Sequence, residues 1–273
     1  MSAAPASVTE VENVRAAFDK AALHYDDNWT SSLLGQLQRE QVWQLMDRIS
    51  KPGERILDVA CGTGADAIHL AARGVRVHAT DISPEMLQAT RKKLISAGQE
   101  HAVTTELLPV QALSRLKDRG PFDGAISNFG AFNCVPDLRR AALDLARILR
   151  PGAPFLLCSM GQFCAWESIW YLSRAQPRKA FRRWRGVATA SLERERPFEI
   201  FYPSVARIEK AFAGQFRLCA WRGVGVFVPP SYVTLANDHP RLFTYMAVID
   251  RVSGGWPLVR ALADHRLMLF ERK

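Results

Sequence analysis

The stretch RILDVACGTGADAIHLAARG, from Arg55 to Gly74, decides the fold class. The apolar run RILDV predicts a short buried strand, and ADAIHLAARG predicts a helix that ends at Gly74. Gly62 and Gly64 lie between them, where glycine lets the backbone come close to a ligand. The free N–H groups at the start of the next helix favour an anion. The stretch therefore predicts a strand–turn–helix unit that binds a nucleotide-like cofactor.

Strands and helices alternate after this unit. The segments VRVHAT, AVTTELL, FDGAISN and APFLLCSM predict four further strands with helical segments between them. Such alternation indicates a parallel sheet with helices on both faces. The pattern breaks after Met160 and returns with the predicted strands FRLCAWRGVGVFVPP and HRLMLFE. We therefore expect an α/β, Rossmann-like fold with a seven-stranded, mostly parallel sheet into which the last strand is inserted.

Several helix ends are also readable. The segment VENVRAAFDKAALHYDDNW predicts a helix that ends near Tyr25 to Asn28, and a second helix is expected from Leu33 to Ile49. Ser83 and Asp137 stand where a side chain caps a helix. The first residues, up to about residue 8, are small and polar and are expected to be disordered.

The same reading divides the chain into four parts. Residues 1–50 are expected to form lid helices, 51–160 the cofactor-binding core, and 161–202 a cap insertion rich in aromatic and basic residues. Residues 203–273 complete the core and contain a second cap segment at about 231–263. We expect both insertions to form one cap over the carboxyl ends of the strands, where ligands bind in such sheets.

Composition limits the class of protein. The 273 residues are 48% hydrophobic and 23% charged, as in a globular enzyme, and the net charge is +9. The start resembles no secretory signal and no apolar run is long enough to span a bilayer, so we expect a cytoplasmic protein. The five cysteines are scattered without a C-x-x-C pair, which argues against a disulfide framework and against a metal site.

Two carboxylates accompany the glycine turn. Asp81 ends the second predicted strand, where an acidic residue accepts hydrogen bonds from the hydroxyls of a ribose. Gly62, Gly64 and Ala67 also satisfy the dinucleotide pattern G-x-G-x-x-A, which leaves an NAD-dependent oxidoreductase as an alternative. Asp58, inside the first strand, can hold a ligand ammonium group. A pyrophosphate has no such group, so Asp58 favours a different cofactor.

Four motifs together resemble a known family. LDVACGTG, ATDISPEMLQATRKK, FDGAISN and LARILRPGAPFLL are similar, in order and spacing, to the motifs of class I S-adenosylmethionine-dependent methyltransferases. The most similar group acts on small molecules and includes quinone-ring and natural-product methyltransferases. The resemblance covers about Val14 to Met160, and the last two strands more weakly. It implies S-adenosyl-L-methionine as the cofactor.

The resemblance also implies residue roles. They are Asp58, Ala60, Cys61, Gly62 and Gly64 around the methionine moiety, Asp81 at the ribose, Ile82 and Met86 at the adenine, Asn128 and Phe129 near the sulfonium, and Tyr25 in the lid. After the third strand the family usually has an acidic residue that contacts the adenine amine. This chain has Pro109 near that position, and we expect Gln111 or a backbone carbonyl to replace the acidic residue.

The acceptor side is less defined. The segment SNFGAFNC, residues 127–134, lacks the prolines typical of enzymes that methylate base amines, which argues against a nucleobase acceptor. Asn133 is either an acceptor contact or a turn residue. Trp166 and Tyr202, among other aromatic residues of the cap insertion, are expected to line an apolar pocket.

The candidate catalytic residues are His24, Tyr25 and His239. Either histidine is a candidate base for a hydroxyl acceptor, and solvated histidines are the alternative. His265 begins a strand, which favours a structural role. The basic run at 178–185 either contacts an anionic group or membrane surface, or is a solvated helix face.

The sequence thus predicts an enzyme that transfers the methyl group of S-adenosylmethionine to O, N or C of a small, largely apolar acceptor. Three alternatives stay open: a nucleic-acid methyltransferase, which the positive charge favours, an NAD-dependent oxidoreductase, and a non-catalytic protein that binds S-adenosylmethionine. The sequence indicates no oligomeric state.

Overall fold

All seven segments predicted as strands of the sheet pair into one sheet in the computed structural model. The structure describes residues 8–192, 196–233 and 238–273. Residues 1–7, most of the start that was predicted to be disordered, lie outside the described residues. Residues 193–195 and 234–237, in the two predicted cap segments, also lie outside them. The strands are β1 (Arg55–Val59), β2 (Arg76–Asp81), β3 (Val103–Leu107), β4 (Gly124–Ser127), β5 (Pro154–Met160), β6 (Val187–Ala190), β7 (Phe198–Phe201), β8 (Phe216–Val224) and β9 (His265–Arg272).

The order of the strands in the sheet is β3-β2-β1-β4-β5-β9-β8. The first five strands are parallel, and β9 lies antiparallel between β5 and β8. This confirms the predicted Rossmann-like fold and the inserted last strand. The register places Met160, at the carboxyl end of β5, opposite His265, at the amino end of β9. Residues that follow β1, β2, β4 and β5 therefore meet the start of β9 at one edge of the sheet.

The helices are α1 (Val8–Ala21), α2 (Leu33–Ile49), α3 (Ala65–Ala71), α4 (Pro84–Ala97), α5 (Leu138–Ile148), α6 (Ala165–Leu172), α7 (Pro177–Ala180), α8 (Val205–Phe212) and α9 (Pro240–Ser253). The predicted bounds of α2 are confirmed, and so are two predicted caps. The Ser83 hydroxyl accepts a hydrogen bond from the Met86 N–H at 3.1 Å, and the Asp137 carboxylate accepts one from the Arg140 N–H at 3.0 Å.

The predicted end of the first helix is wrong. The helix α1 ends at Ala21, and Asp26–Thr30 form a separate turn of π-helix. Asp26 explains the break, because its carboxylate accepts a hydrogen bond from the Thr63 hydroxyl at 2.6 Å and pairs with the Lys93 ammonium at 2.8 Å. These contacts attach the turn to the glycine loop and to α4 rather than letting it continue α1.

Two other differences concern strands. The predicted strand from 216 to 230 ends at Val224, because Gly225 adopts a left-handed conformation with φ +74°. The antiparallel ribbon β6–β7 was not predicted, since its strands of four residues carry no long alternating pattern. The Phe198 ring, on this ribbon, lies 6.3 Å from the Phe18 ring on α1. The first cap insertion therefore contacts the lid helix.

The core fills both faces of the sheet. On one face, buried phenylalanines stack between the sheet and α5 and α8; they are Phe122, Phe132, Phe155, Phe212, Phe216 and Phe270. On the other face α2 and α3 cover β1 and β2. Burial of one such ring stabilises the fold by about 2–3 kcal/mol, so both layers hold the strand ends rigidly at the edge where the loops meet.

Candidate functional site

An open cleft lies at the carboxyl ends of the parallel strands. Its walls come from α1, the lid turn and the loops that follow β1, β2, β3 and β4. Nine of the twelve predicted cofactor positions line it, namely Tyr25, Ala60, Gly62, Asp81, Ile82, Met86, Gln111, Asn128 and Phe129. The other three, Asp58, Cys61 and Gly64, lie in β1 and the adjacent glycine turn without lining the cleft. The topology thus brings together residues from three of the four sequence motifs, together with Tyr25 and Gln111.

The glycine turn is held between two side chains. Gly62 and Gly64 adopt φ +57° and φ +79°, which L side chains rarely do. A Cβ atom on Gly64 would lie 2.5 Å from the Cγ2 atom of Thr90, and one on Gly62 would touch the Tyr25 ring at 4.0 Å. The Thr90 hydroxyl donates a hydrogen bond to the Gly62 carbonyl at 2.8 Å. The backbone conformation therefore favours glycine at both positions, and lack of space excludes a larger side chain at Gly64. Tyr25 contacts the turn at Gly62.

Asp81 accepts hydrogen bonds from the glycine turn and from the residue that caps α4. Its Oδ2 atom accepts a hydrogen bond from the Gly62 N–H at 2.9 Å, and its Oδ1 atom accepts one from the Ser83 N–H at 2.8 Å. Burial raises the pKa of Asp81 to about 6, although the N–H groups of Ser83 and Gly62 act in the opposite direction. Each carboxylate oxygen has a second lone pair, so Asp81 can accept further hydrogen bonds from vicinal hydroxyls in the cleft.

Asp58 contains a buried oxygen that the described chain leaves without a hydrogen bond. The residue is almost fully buried, and its Oδ2 atom has no hydrogen-bond partner among the described residues. Burial raises the pKa of Asp58 well above its usual range, and the charges of Asp66 and Asp81 raise it further. Unpaired buried acceptors are rare because they cost free energy. A ligand ammonium group would supply the missing donor, which fits the methionine end of the cofactor that the sequence resemblance implies.

A buried ion pair below Asn128 was missed by the sequence reasoning. The Asp66 Oδ2 atom accepts a hydrogen bond from the Asn128 side chain at 2.8 Å. Its Oδ1 atom accepts hydrogen bonds from Arg39 and from the Trp43 indole, each at 2.7 Å. Burial alone would raise the pKa of Asp66, but Arg39 and the hydrogen bonds hold it below its usual range. The carboxylate stays charged and fixes the Asn128 amide.

The hydrogen bond to Asp66 fixes the Asn128 side chain and leaves its oxygen as a free acceptor. The Asn128 Oδ1 atom is buried and has no hydrogen-bond partner in the described part of the chain. Since its amide nitrogen is held by Asp66, this oxygen is the group that Asn128 can offer to a ligand. No sequence motif marks Arg39 or Asp66, because a charged residue on a helix reads as a surface position. Only the packing of α2 against α3 buries both.

The neighbouring Phe129 joins the lid to the last strand. Its ring packs edge-on against Trp29 and His265, each with ring centroids 5.3 Å apart, and the Arg39 guanidinium lies 4.9 Å above it. His265 is buried, and its Nδ1 atom lies 3.3 Å from Asp264 Oδ2. The predicted structural position of His265 agrees with this packing.

Asn133 does not reach the cleft, contrary to its expected contact with the acceptor. Its side-chain nitrogen donates hydrogen bonds to the carbonyls of Phe201 at 2.6 Å and Met160 at 3.3 Å. Its Oδ1 atom accepts one from the Met160 N–H at 2.8 Å. The residue is fully buried. Asn133 therefore joins β5 and β7, and its description as a turn residue that serves the local structure is the better one.

Trp166 and Tyr202 also lie away from the cleft lining, so the predicted aromatic pocket wall is wrong for both. The Trp166 indole donates a hydrogen bond to the Phe227 carbonyl at 3.1 Å, and its ring packs against Phe243. Tyr202 is buried, with the Arg183 guanidinium 5.5 Å from its ring. Both aromatic side chains stabilise the cap rather than a ligand.

The histidine candidates for a base are not at the cleft either. His24 is exposed between α1 and the lid turn, and His239 is exposed just before α9. The structure therefore does not support a base at either position. Tyr25, the third candidate, does line the cleft, and burial raises the pKa of its phenol, so Tyr25 stays protonated at neutral pH.

The basic run at 178–185 is divided in two. Arg182 and Arg183 turn inward and pair with the buried Glu167 carboxylate at 2.8 and 2.9 Å. Arg183 also pairs with Asp264 at 2.9 Å, which connects the cap to the start of β9. The remaining basic residues of the run are exposed, so a uniformly solvated helix face is the wrong description.

No group of three or more His, Cys, Asp or Glu side chains in 8–192, 196–233 and 238–273 is placed to hold a metal ion. Within the same ranges, no helix is long and apolar enough to cross a membrane. All five cysteines are free thiols.

Comparison with known proteins gives consistent matches. Residues 56–152 match a family model described as a methyltransferase domain. The chain is 36% identical over 148 residues to the demethylmenaquinone methyltransferase of Clavibacter sepedonicus, a match that covers 53% of this chain and 57% of that protein. It is 31% identical over 175 residues to the demethylmenaquinone methyltransferase of Mycobacterium marinum, which covers 62% of this chain and 70% of that protein.

A solved structure supports the same fold. The CcbJ methyltransferase from Streptomyces caelestis superposes with a TM-score of 0.56 at 13% identity, over 85% of this chain and 88% of that one. The match to the family model, residues 56–152, includes the loops after β1, β2, β3 and β4, which line the cleft. The matched segment of the Clavibacter protein is less than two thirds of its length.

Proposed function

Because this chain belongs to the class I S-adenosylmethionine-dependent methyltransferases, we propose that it binds S-adenosyl-L-methionine in the cleft and methylates O, N or C of a small, largely apolar acceptor. The observation that carries the proposal is the pair of buried carboxylates beside the glycine turn. Asp81 accepts a hydrogen bond from the Gly62 N–H, and Asp58, in the strand that leads into the turn, contains an unpaired buried oxygen.

In this proposal each part of the cleft binds one part of the cofactor. Asp81 accepts hydrogen bonds from the two ribose hydroxyls. Asp58 favours the methionine ammonium, and the Gly62–Gly64 turn allows the close approach of the ligand to the backbone. Ile82 and Met86 supply apolar walls for the adenine, and Gln111, which also lines the cleft, is the proposed polar contact to it.

The bound cofactor supplies a methyl group already activated by its sulfonium. The protein has to align that methyl with the acceptor and exclude water, because orientation accounts for a large part of the barrier reduction in such transfers. Asn128 is suited to orientation, since Asp66 fixes its amide. Tyr25 is suited to covering the reactants from the lid.

The acceptor is proposed to be apolar because of the outer cleft. Val11, Val14 and Phe18 line it from α1, and Val110 and Val135 line it from the loops. An apolar acceptor with one reacting hydroxyl, amine or ring carbon matches these walls. The named activity of the two relatives, methylation of demethylmenaquinone, supports a quinone-like ring as the first acceptor to test.

Binding and transfer should be measured separately. Isothermal titration calorimetry with S-adenosylhomocysteine and with NADH tests the cofactor, and transfer of a labelled methyl group to a reduced naphthoquinone tests the reaction. We expect binding of S-adenosylhomocysteine only, and labelled product. Binding of NADH alone would favour an oxidoreductase.

The same measurements distinguish a methyltransferase for small molecules from a binding protein and from a nucleic-acid enzyme. Binding of S-adenosylhomocysteine without transfer to naphthoquinols, phenols or amines would favour a non-catalytic binding protein. Labelled methyl transfer to RNA or DNA, with salt-sensitive binding, would favour a nucleic-acid methyltransferase.

A further inference from the structure

The helix α9 exposes an apolar stripe on the side that faces solvent. Its residues recur at a spacing of three and four and continue beyond the helix; they are Leu242, Tyr245, Ile249, Val252 and Trp256. These side chains are strongly exposed: Tyr245 is 72% and Val252 is 68% accessible to solvent. Leu258 and Leu262 extend the apolar surface. Large apolar patches of this kind on a protein surface indicate an interaction site.

The stripe is a second apolar face of α9, in addition to the face that packs on the core. The opposite side of α9 is fixed to the core: Phe243 and Ala247 pack on α2. The Asp250 carboxylate accepts hydrogen bonds from the N–H groups of Val226, Phe227 and Val228, at 2.8 to 3.1 Å. A surface helix normally carries polar residues opposite its core face. Here α9 presents apolar residues outward from a fixed position.

The neighbouring helix α6 adds exposed apolar side chains. It packs against the buried side of α9 through Trp166 and Phe243, whose rings lie 6.4 Å apart, and it exposes Ile169 and Leu172. The segment after it exposes Phe181 and Trp184. We call the exposed side chains of residues 165–185 and 238–262 the docking face.

The charges of the docking face have one dominant sign. Its exposed basic residues are Arg174, Arg178, Lys179, Arg185, Arg241 and Arg251, whereas Asp238 is the only exposed acidic residue among its described positions. The other acidic residues there, Glu167 and Asp250, are buried and occupied by hydrogen bonds. A basic rim around tryptophan, tyrosine and leucine side chains is typical of segments that lie in the interface of an anionic membrane.

We propose that the docking face binds the surface of a membrane that contains anionic lipids. The apolar stripe of α9 and its continuation to Leu262 insert at the level of the acyl chains, and the arginines at the rim contact lipid phosphates. The helix lies in the plane of the interface and does not span the bilayer.

A second copy of the chain fits the docking face less well. In an antiparallel pair of α9 helices, Arg241 of one copy would lie close to Arg251 of the other. In a parallel pair, each arginine would lie close to the same residue of the other copy. No exposed acidic residue of α9 compensates for them. Like charges at such positions oppose helix pairing, whereas an anionic lipid surface attracts them.

The proposal is tested by sedimentation of the full chain with vesicles of equimolar phosphatidylglycerol and phosphatidylcholine, and with vesicles of phosphatidylcholine alone. We expect binding to the anionic vesicles that decreases with salt, and weak binding to the neutral ones. Tyr245→Ser/Val252→Ser should reduce the partition coefficient by about tenfold or more through lost apolar contact. Arg241→Glu/Arg251→Glu should reduce it by more than about tenfold, since each basic residue contributes roughly fivefold.

A matched control lies on α4. Lys92→Glu/Ile95→Ser changes an exposed basic residue and an apolar residue of 67% accessibility outside the docking face, and it should leave vesicle binding unchanged. Circular dichroism verifies that each variant is folded. Equal binding of the wild type and both docking-face variants would overturn the proposal. So would a wild-type dimer in sedimentation velocity that Tyr245→Ser/Val252→Ser dissociates, because the face would then be occupied by a second copy.

Discussion

Asp81→Asn should separate cofactor affinity from protein stability. Asn has nearly the shape of Asp but no charge, so the substitution removes the carboxylate that is proposed to bind the ribose without opening a cavity. In the wild type, Asp81 accepts backbone hydrogen bonds from both Gly62 and Ser83. An asparagine oxygen can accept one of them, while the asparagine amide group would face the other N–H.

The effect on stability contains two opposing contributions. The pKa of about 6 against an ordinary 3.8 means that ionisation of Asp81 costs the folded protein about 3 kcal/mol at neutral pH, at about 1.4 kcal/mol per pKa unit. Asp81→Asn removes this cost. One backbone N–H that loses its acceptor costs about 1–3 kcal/mol. We therefore expect the free energy of unfolding of the ligand-free protein to stay within about 2 kcal/mol of the wild type.

The effect on binding has no such compensation. A hydrogen bond to a charged group contributes about 1.5–3 kcal/mol, and the introduced asparagine could replace at most one of the two to the ribose. We expect the Kd for S-adenosylhomocysteine to rise roughly 30- to 150-fold, which corresponds to about 2–3 kcal/mol. Calorimetry measures this Kd at pH 7.5, and urea denaturation measures stability. Unchanged affinity, or a loss of affinity with an equal loss of stability, would refute the ribose assignment.

Three further outcomes are expected. The wild-type affinity for S-adenosylhomocysteine should be constant above about pH 7 and should weaken about tenfold per pH unit below 6, because the ribose favours ionised Asp81. The stability of the ligand-free protein should instead increase as the pH falls and Asp81 takes up a proton. Calorimetric titration at several pH values checks the affinity, and a similar slope in Asp81→Asn would contradict the prediction. Gly64→Ala should lower the free energy of unfolding by about 1–3 kcal/mol, since the added Cβ would lie 2.5 Å from Thr90 Cγ2. In urea denaturation, the added substitution Thr90→Ser should recover part of this loss of stability. Arg39→Met should lower the free energy of unfolding by about 3–5 kcal/mol, because it leaves Asp66 charged and unpaired. The added substitution Asp66→Asn should restore part of the stability. Strictly additive losses of stability would show that the two side chains do not act as a pair.

The parts of the fold that depend on local rules could be predicted from the sequence. Strands β1 to β5 are apolar runs between recognisable turns, and Ser83 and Asp137 cap their helices through hydrogen bonds within three residues. The placement of Gly62, Gly64 and Asp81 is predictable for the same reason. The two glycines follow β1 and Asp81 ends β2, and parallel strands bring their carboxyl ends to one edge of the sheet.

The acceptor side depends on packing between distant segments, which no local pattern describes. Asn133, a plausible ligand group by its position after β4, is bound instead to the backbone of β5 and β7, 27 and 68 residues away. Trp166 and Tyr202 have the composition of a pocket wall, yet they fill the interior of the cap. An aromatic residue in an irregular segment can serve either purpose, and its sequence gives no sign of which one.

The buried pair of Arg39 and Asp66 shows why the site depends on elements outside its motifs. Asp66 belongs to the helix that follows the glycine turn, but its partner comes from α2, in the predicted lid region. Through Asp66 this pair holds the Asn128 amide, and Arg39 also lies over the Phe129 ring. Removing one partner leaves a buried charge, so α2 cannot move away from α3 without a cost of about 3–5 kcal/mol. The helix α2 is therefore expected to stay with the core and to keep the Asn128 side chain in place at the cleft.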